Sequence, residues 1–305
     1  MSHSVVVSTF PNAKALPLWA GVETGVFARC DLDVTIDETV SSAAQREGLA
    51  SGEIHIAQAA VDNALAMILA GSDVVIVMGG ESGMNDFIVQ ADIKTFADFR
   101  GRTLVVDSPH TAYALQARKL LAANGLSACK DYTIQAIGNA RLRLRALLES
   151  KQNGGGVMNP PYAAQARTNG MTSLGRLVDL LGPYQAGGAF VLRAWARANA
   201  GILENYIGAY VEALKWIADP TNGAKAIDLL VRKLGITNDV ARATLTDLTD
   251  PTFGFAQDAK LDRIGLANML AIRAETEGEN AALSNPEAYI DESYYTRAMG
   301  RRRPA

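Results

Sequence analysis

Short apolar segments alternate with helix-patterned segments from the start of the chain, and this alternation constrains the fold more than any other feature. Residues 5–7 (VVV) form a short apolar run, and residues 16–27 place apolar side chains at helical spacing. Residues 74–78 (VVIVM) are apolar at every position, which is typical of a parallel strand covered on both faces. The pattern predicts an α/β fold with a parallel sheet. It also predicts strands at 32–36 and 54–59 and helices at 41–49 and 63–69.

A second series of strands and helices begins after the glycine-rich residues 79–85. Residues 104–107 (LVVD) predict a strand, followed by a helix at 109–124 with Ser108 as its N-cap and Pro109 at its first position. After a strand at 189–192, the remaining chain has an almost wholly helical pattern. Two such series predict two lobes joined by a hinge, with a ligand cleft between them. The predicted hinge crossings lie near 79–86 and 182–188.

Composition excludes several classes of partner. The 305 residues are 49% hydrophobic and 20% charged, as is ordinary for a folded globular protein. The net charge is −3, so we expect no nucleic-acid partner. Cys30 and Cys129 lack CxxC spacing and the three histidines are isolated, so we expect no metal and no cofactor. Basic residues cluster only at Arg141, Arg143 and Arg145 and at Arg301, Arg302 and Arg303.

The chain as given predicts no membrane-spanning segment, because no apolar stretch is long enough to cross a bilayer. Residues 1–10 also lack a basic region followed by a long apolar region, so no secretory signal is predicted. The predicted location depends on the native start. It is periplasmic if a leader was removed and cytoplasmic if Met1 is the native start.

Five segments carry a family resemblance: STFPNAKALPLWAGVETGVFARCDLDVTI, LASGEIHIAQAAVDNAL, TLVVDSPHTAYALQARKLLAANGL, VMNPPYAAQARTNG and NPEAYIDESYYTRA. On these segments the chain resembles the type II periplasmic-binding-protein-like superfamily, and within it the aliphatic-sulfonate and thiamine-pyrimidine group of substrate-binding proteins. The resemblance implies two lobes, each a mixed sheet flanked by helices, with a helical C-terminal region. It assigns residues 1–84 plus 187–305 to lobe 1 and residues 87–184 to lobe 2. It also implies a solute-binding protein that captures a small organic molecule in the inter-lobe cleft for an ABC-type importer and its permease.

The resemblance places the ligand at loops that follow the carboxyl ends of strands, where open α/β sheets bind their ligands. The residues carried over by position are Thr9, Phe10, Asn12, Ser41, Ser42, Val61, Asp62, Ser108, His110, Thr111, Asn159 and Tyr162.

The chemistry of these loops suggests a heteroaromatic or acidic ligand. Free backbone N–H groups at the helix starts near Ser41 and Ser108 favour an anionic or acceptor group. Phe10 and Tyr162 lie in predicted loops, where their rings can flank a flat molecule, although core packing is the alternative. Asp62 has two open roles, because it either orients the ligand or caps the following helix.

An enzyme on the same fold is the alternative function. Relatives on this fold include a desulfinase with a nucleophilic cysteine in the loop after the first strand, and a thiamine-pyrimidine synthase with a cysteine-rich motif. The equivalent loop here, STFPNAKA, has no cysteine. His110 is the best remaining candidate for a general base of a cytoplasmic hydrolase or lyase, and a ligand sensor is a further alternative. Binding is the leading prediction, because the sequence offers no nucleophile, metal site or acid–base pair.

Overall fold

The computed structural model describes residues 2–301, so Met1 and residues 302–305, with the clustered Arg302 and Arg303, lie outside the described part. The chain divides into two compact units. Unit 1 contains the described residues up to Ser82, Gln185–Asp262, and the described residues from Ala281 onward. Unit 2 contains Gly83–Tyr184 and Arg263–Asn280.

The strands of the described chain, in sequence order, are β1 (His3–Thr9), β2 (Leu32–Glu38), β3 (Ile56–Ala60), β4 (Val74–Glu81), β5 (Asp86–Val89), β6 (Thr103–Val106), β7 (Thr133–Ala136), β8 (Asn153–Met158), β9 (Thr172–Arg176) and β10 (Gly187–Leu192).

The α-helices are α1 (Leu16–Glu23), α2 (Val26–Arg29), α3 (Ser42–Ser51), α4 (Asp62–Leu69), α5 (Ala112–Ala123), α6 (Ala140–Glu149), α7 (Tyr162–Thr168), α8 (Leu177–Leu181), α9 (Arg193–Ala198), α10 (Ala200–Ala218), α11 (Gly223–Leu234), α12 (Asn238–Thr249), α13 (Arg263–Glu277) and α14 (Ser293–Arg301). Short 3-10 helices cover Ala13–Ala15, Phe96–Phe99, Pro220–Asn222, Ala281–Leu283 and Pro286–Ala288.

Unit 1 is built on a sheet with the strand order β2-β1-β3-β10-β4. β1 pairs in parallel with β2 and β3, whereas β10 is antiparallel to both β3 and β4. The sheet is therefore mixed, as the resemblance implied, and not wholly parallel. β4 is buried at every position, which agrees with its continuous apolar sequence. The carboxyl ends of β1 to β4 share one edge of this sheet, which we call the unit 1 edge.

Unit 2 is built on a second mixed sheet with the order β7-β6-β8-β5-β9. β6 is parallel to β7 and β8, and β5 is antiparallel to β8 and β9. Gly156 lies in the middle of this sheet, where a Cβ atom would lie 2.5 Å from the carbonyl oxygen of Val105. A glycine is therefore required for β8 to approach β6 at this point.

The helix α13 marks a difference from the predicted lobe boundaries. The sequence-based boundary assigned residues 187–305 to lobe 1, but 263–280 belong to unit 2. The chain therefore passes between the units four times instead of the predicted two. The physical reason is the packing of α13 against α5, in which α13 buries Leu266, Met269 and Ile272. Ion pairs of Arg118 with Glu277 and of Lys119 with Glu275 also join the two helices. Such pairing between distant segments leaves no local signal in the sequence.

The start of α5 is a second difference. The helix begins at Ala112, three residues after the predicted first position at Pro109, and Thr111 is its N-cap. Ser108 does not cap it, because a turn, in which the Thr111 N–H donates to the Ser108 carbonyl oxygen at 3.4 Å, precedes the helix. The start of α3 agrees with its prediction: the Ser41 hydroxyl accepts a hydrogen bond from the Ala44 N–H at 3.1 Å.

Among residues 2–301, no helix combines the length and apolar character that crossing a membrane requires.

Candidate functional site

The unit 1 edge contains the first group of predicted site residues. Thr9 ends β1 and is buried, and Phe10 follows it and is half-buried. Asn12 is held as an N-cap, because its side-chain oxygen accepts a hydrogen bond from the Lys14 N–H at 2.9 Å. Asn12 is therefore positioned by the backbone that follows it and is half-buried.

A buried ion pair lies at the same edge and was not predicted from the sequence. Lys14 Nζ lies 3.0 Å from Glu81 Oε1, and the two side chains are only 14% and 6% exposed. Glu81 is the last residue of β4, so it lies at a strand end just as the predicted residues do. Each charge compensates the other, which is the condition for burying either one.

Two helix starts of unit 1 contain predicted site residues, and only the first has the predicted cap. Ser41 and Ser42 lie at the start of α3, and the Ser41 hydroxyl is engaged as its cap. Val61 and Asp62 are buried, and the Val61 N–H donates to the Ala186 carbonyl oxygen at 2.8 Å. Asp62 is the first residue of α4 and not its cap, so the capping alternative for this residue is wrong. Its carboxylate lies in the first helical turn, where the helix dipole favours a negative charge.

Unit 2 gathers a second group of polar side chains, which we call the unit 2 cluster. Asp107 directly follows β6, and the Thr111 hydroxyl donates to Asp107 Oδ1 at 2.5 Å. Asn159 directly follows β8 and is buried. Strands β6 and β8 are parallel neighbours, so these two loops emerge at the same edge. The cluster comprises Asp107, Thr111, Tyr113, Arg143 and Asn159.

Arg143 is the centre of the unit 2 cluster, and its side chain is only 2% exposed. It donates to the carbonyl oxygens of Gly138 at 2.7 Å and Val157 at 3.2 Å. Its Nη1 lies 3.9 Å from Asp107 Oδ1. Burial lowers the pKa of the Arg143 guanidinium, and the negative charge of Asp107 opposes that shift. The guanidinium therefore links the loop before α6 to strand β8 within the unit.

Sequence reasoning missed the role of Arg143, although a signal was present. Arg143 lies three residues after Ala140 and four before Leu147, and all three residues are buried on α6. Helical periodicity therefore places this arginine on the apolar face, whereas its neighbours Arg141 and Arg145 are exposed. An arginine at a position of the helix where apolar residues recur is the sequence pattern that indicates the buried position of Arg143.

Two tyrosines border Arg143. The Tyr113 ring centroid lies 6.0 Å from Arg143 Cζ, and the Tyr113 hydroxyl accepts a hydrogen bond of 3.4 Å from Asn159 Nδ2. Burial raises the pKa of the Tyr162 hydroxyl, and the positive charges of Arg141 and Arg143 partly offset that shift. Tyr162 begins α7 and is half-buried, so its ring has both an enclosed and an exposed part.

His110 and Ser108 lie on the exposed turn before α5, outside the unit 2 cluster. The His110 side chain is 70% exposed, and its Nδ1 lies 2.7 Å from Glu277 Oε2. Arg273 donates to the His110 carbonyl oxygen at 3.3 Å, and Arg118 binds the other oxygen of Glu277. His110 is therefore engaged with α13, and its role as a ligand contact or general base stays a prediction.

A surface groove of about 630 Å³ lies elsewhere in unit 1. It contains none of the predicted site residues and no strand end, so we do not include it in the candidate site. Its walls are formed by Ala20, Glu23, Thr24, Trp216, Ala224, Lys225, Asp228 and Leu229.

Comparison with known sequences gives one family. The model of the NMT1-like family matches residues 2–231, which is most of the chain. No curated protein matches the sequence.

Solved structures with similar folds span almost the whole chain. A protein of Bordetella bronchiseptica RB50 has a TM-score of 0.82 at 21% identity, covering 98% of this chain and 97% of that one. The ligand-binding component of an ABC-type import system from Staphylococcus aureus, with zinc bound, has a TM-score of 0.78 at 12% identity, covering 97% and 99%. The alkanesulfonate-binding protein SsuA from Xanthomonas axonopodis pv. citri, bound to MOPS, has a TM-score of 0.72 at 17% identity, covering 98% and 98%.

Proposed function

The chain belongs to the NMT1-like family and has the periplasmic-binding-protein fold, and on that premise we propose that it is a solute-binding protein serving an ABC-type importer. Its ligand is a small organic molecule, and its partner is the permease of the importer. The fold class inferred from the resemblance is confirmed, since two mixed sheets flanked by helices make up the described chain.

The unit 2 cluster is the observation that carries this proposal. Its charged and amide side chains are held in place by one another and by backbone carbonyl oxygens, at the strand ends where α/β proteins bind ligands. These hydrogen bonds fix the positions of the polar side chains, which can then contact a ligand.

Mass spectrometry of small molecules released from the freshly purified protein tests the proposal. We expect one molecule in near-stoichiometric amount, and adding it back should raise the melting temperature while its concentration stays constant. At a ligand concentration 100 times Kd, mass action adds about 2.7 kcal/mol to the free energy of unfolding. Steady conversion of the molecule to a product, abolished by H110A, would establish the enzyme alternative instead.

A further inference from the structure

We propose that the unit 2 cluster selects ligands that present a hydrogen-bond donor, such as an amidinium, amine or ring N–H, and rejects anions. This inference rests on the proposed solute-binding function and specifies the ligand class for that same site. Asp107 is the residue that makes the selection.

Asp107 is the accessible charge of the cluster. Its side chain is 24% exposed, whereas that of Arg143 is 2% exposed. The Thr111 hydroxyl occupies Oδ1, and within residues 2–301 no side chain or backbone group donates to Oδ2. A molecule that reaches this strand end therefore meets a carboxylate oxygen with acceptor capacity to spare.

Arg143 is enclosed and cannot act as the receptor for an anion. Two of its nitrogens donate to the carbonyl oxygens of Gly138 and Val157, and the aromatic ring of Tyr113 lies beside the guanidinium. Its positive charge faces Asp107 across 3.9 Å, so the pair has no net charge. An incoming carboxylate or sulfonate would approach Asp107 first and would be repelled by it.

Asn159 adds a second acceptor to the cluster. Its Nδ2 donates to the Tyr113 hydroxyl, while its buried Oδ1 has no hydrogen-bond partner among the described residues. A buried polar atom without a partner is costly, so such an atom commonly marks a place where a ligand or water completes the hydrogen bonding. Asp107 Oδ2 and Asn159 Oδ1 are thus both acceptors, and a hydrogen-bond donor on the ligand complements them.

Three matched probes test the proposal on the unaltered protein: benzamidine, benzamide and benzoate. They share one ring and differ in whether the substituent is a cationic donor, a neutral donor or an anion. Isothermal titration is expected to give the tightest binding for benzamidine and a Kd at least about tenfold weaker for benzoate, the scale of one charge-assisted hydrogen bond.

Benzoate binding as tightly as benzamidine, or no binding by any of the three at 10 mM (about the limit for a fragment of this size), overturns the inference. Its failure is distinguishable from failure of the proposed function. If a molecule co-purifies with the protein while benzoate is preferred, only the donor selection falls. If no molecule co-purifies and no probe binds, the solute-binding proposal falls with it.

A double variant assigns the selection to Asp107. D107N alone leaves the buried charge of Arg143 without its counter-charge and endangers folding. D107N/R143M removes both charges together, and we expect the preference for benzamidine over benzoate to shrink to within about twofold. The control D179N removes an exposed carboxylate of the same unit and should keep the full preference. Full preference in the double variant, or its loss in the control, contradicts the proposal.

Discussion

The unit 1 edge and the unit 2 cluster both bury a basic side chain at strand ends, but they compensate its charge differently. In unit 1, Lys14 and Glu81 are in direct contact at 3.0 Å, and both side chains are enclosed. In unit 2, Arg143 is buried while Asp107 is partly exposed and 3.9 Å away. In unit 1 the two charges are in direct contact, whereas in unit 2 Asp107 keeps a carboxylate oxygen that can accept a hydrogen bond from another molecule.

The difference follows from the chemistry of the two cations. A lysine ammonium is a compact point charge, and one oxygen of the Glu81 carboxylate contacts it directly. An arginine guanidinium has five donors in a planar fork, and Arg143 directs donors to backbone carbonyl oxygens. Asp107 is therefore released from direct contact with its partner. We infer that unit 2 supplies the more selective polar contacts of the two.

The largest effect that tests this comparison is expected from R143M. The substitution removes two buried hydrogen bonds to carbonyl oxygens and the counter-charge of Asp107, and we expect a loss of about 3 kcal/mol in the free energy of unfolding. Urea denaturation followed by circular dichroism measures it. R141Q, an exposed arginine of the same helix, should change the free energy by less than about 0.5 kcal/mol. Equal losses of unfolding free energy in R143M and R141Q would show that the buried hydrogen bonds of Arg143 do not stabilise unit 2.

A smaller effect is expected from E81Q in unit 1. Glutamine keeps a side-chain oxygen that accepts from Lys14 but removes the negative charge, so we expect a loss of about 2 kcal/mol. The same denaturation experiment applies, with E38Q as the control. Glu38 accepts a hydrogen bond from Trp19 Nε1 at 3.2 Å, which a glutamine oxygen can also accept. If E81Q leaves the free energy of unfolding unchanged, the Lys14–Glu81 pair does not stabilise unit 1. The proposed difference between the two units would then be wrong for unit 1.

The smallest effect concerns helix caps, in which the two units are alike. Ser41 caps α3 and Asn139 caps α6, each through a side-chain oxygen that accepts a backbone N–H at 3.1 Å. S41A and N139A should each lower the free energy of unfolding by about 1 kcal/mol. S42A changes the neighbouring serine, which is not the cap, and should have an effect below about 0.5 kcal/mol. Thermal denaturation compares all three, and a larger loss from S42A than from S41A would contradict the assigned cap.

Several parts of the site were predictable from sequence. Thr9, Phe10 and Asn159 come directly after apolar strand segments, and the structure places all three at strand ends, because the carboxyl ends of strands are readable from local hydrophobic patterns. The Ser41 cap was likewise readable, since capping depends only on the residues of one helical turn. That His110 lies outside the unit 2 cluster was not predictable, because its ring is paired with Glu277 of α13, which is distant in the sequence.

The sequence by itself determined the local elements of this protein: which segments become strands, where α3 begins, and that the chain forms an α/β fold of the periplasmic-binding-protein type. The tertiary structure decided the insertion of β10 between β3 and β4, the assignment of α13 to unit 2, and the pairing of Arg143 with Asp107. The physical reason is the range of the interactions. Propensity, capping and periodicity act within a few residues, whereas strand pairing and the compensation of a buried charge join residues far apart in the chain.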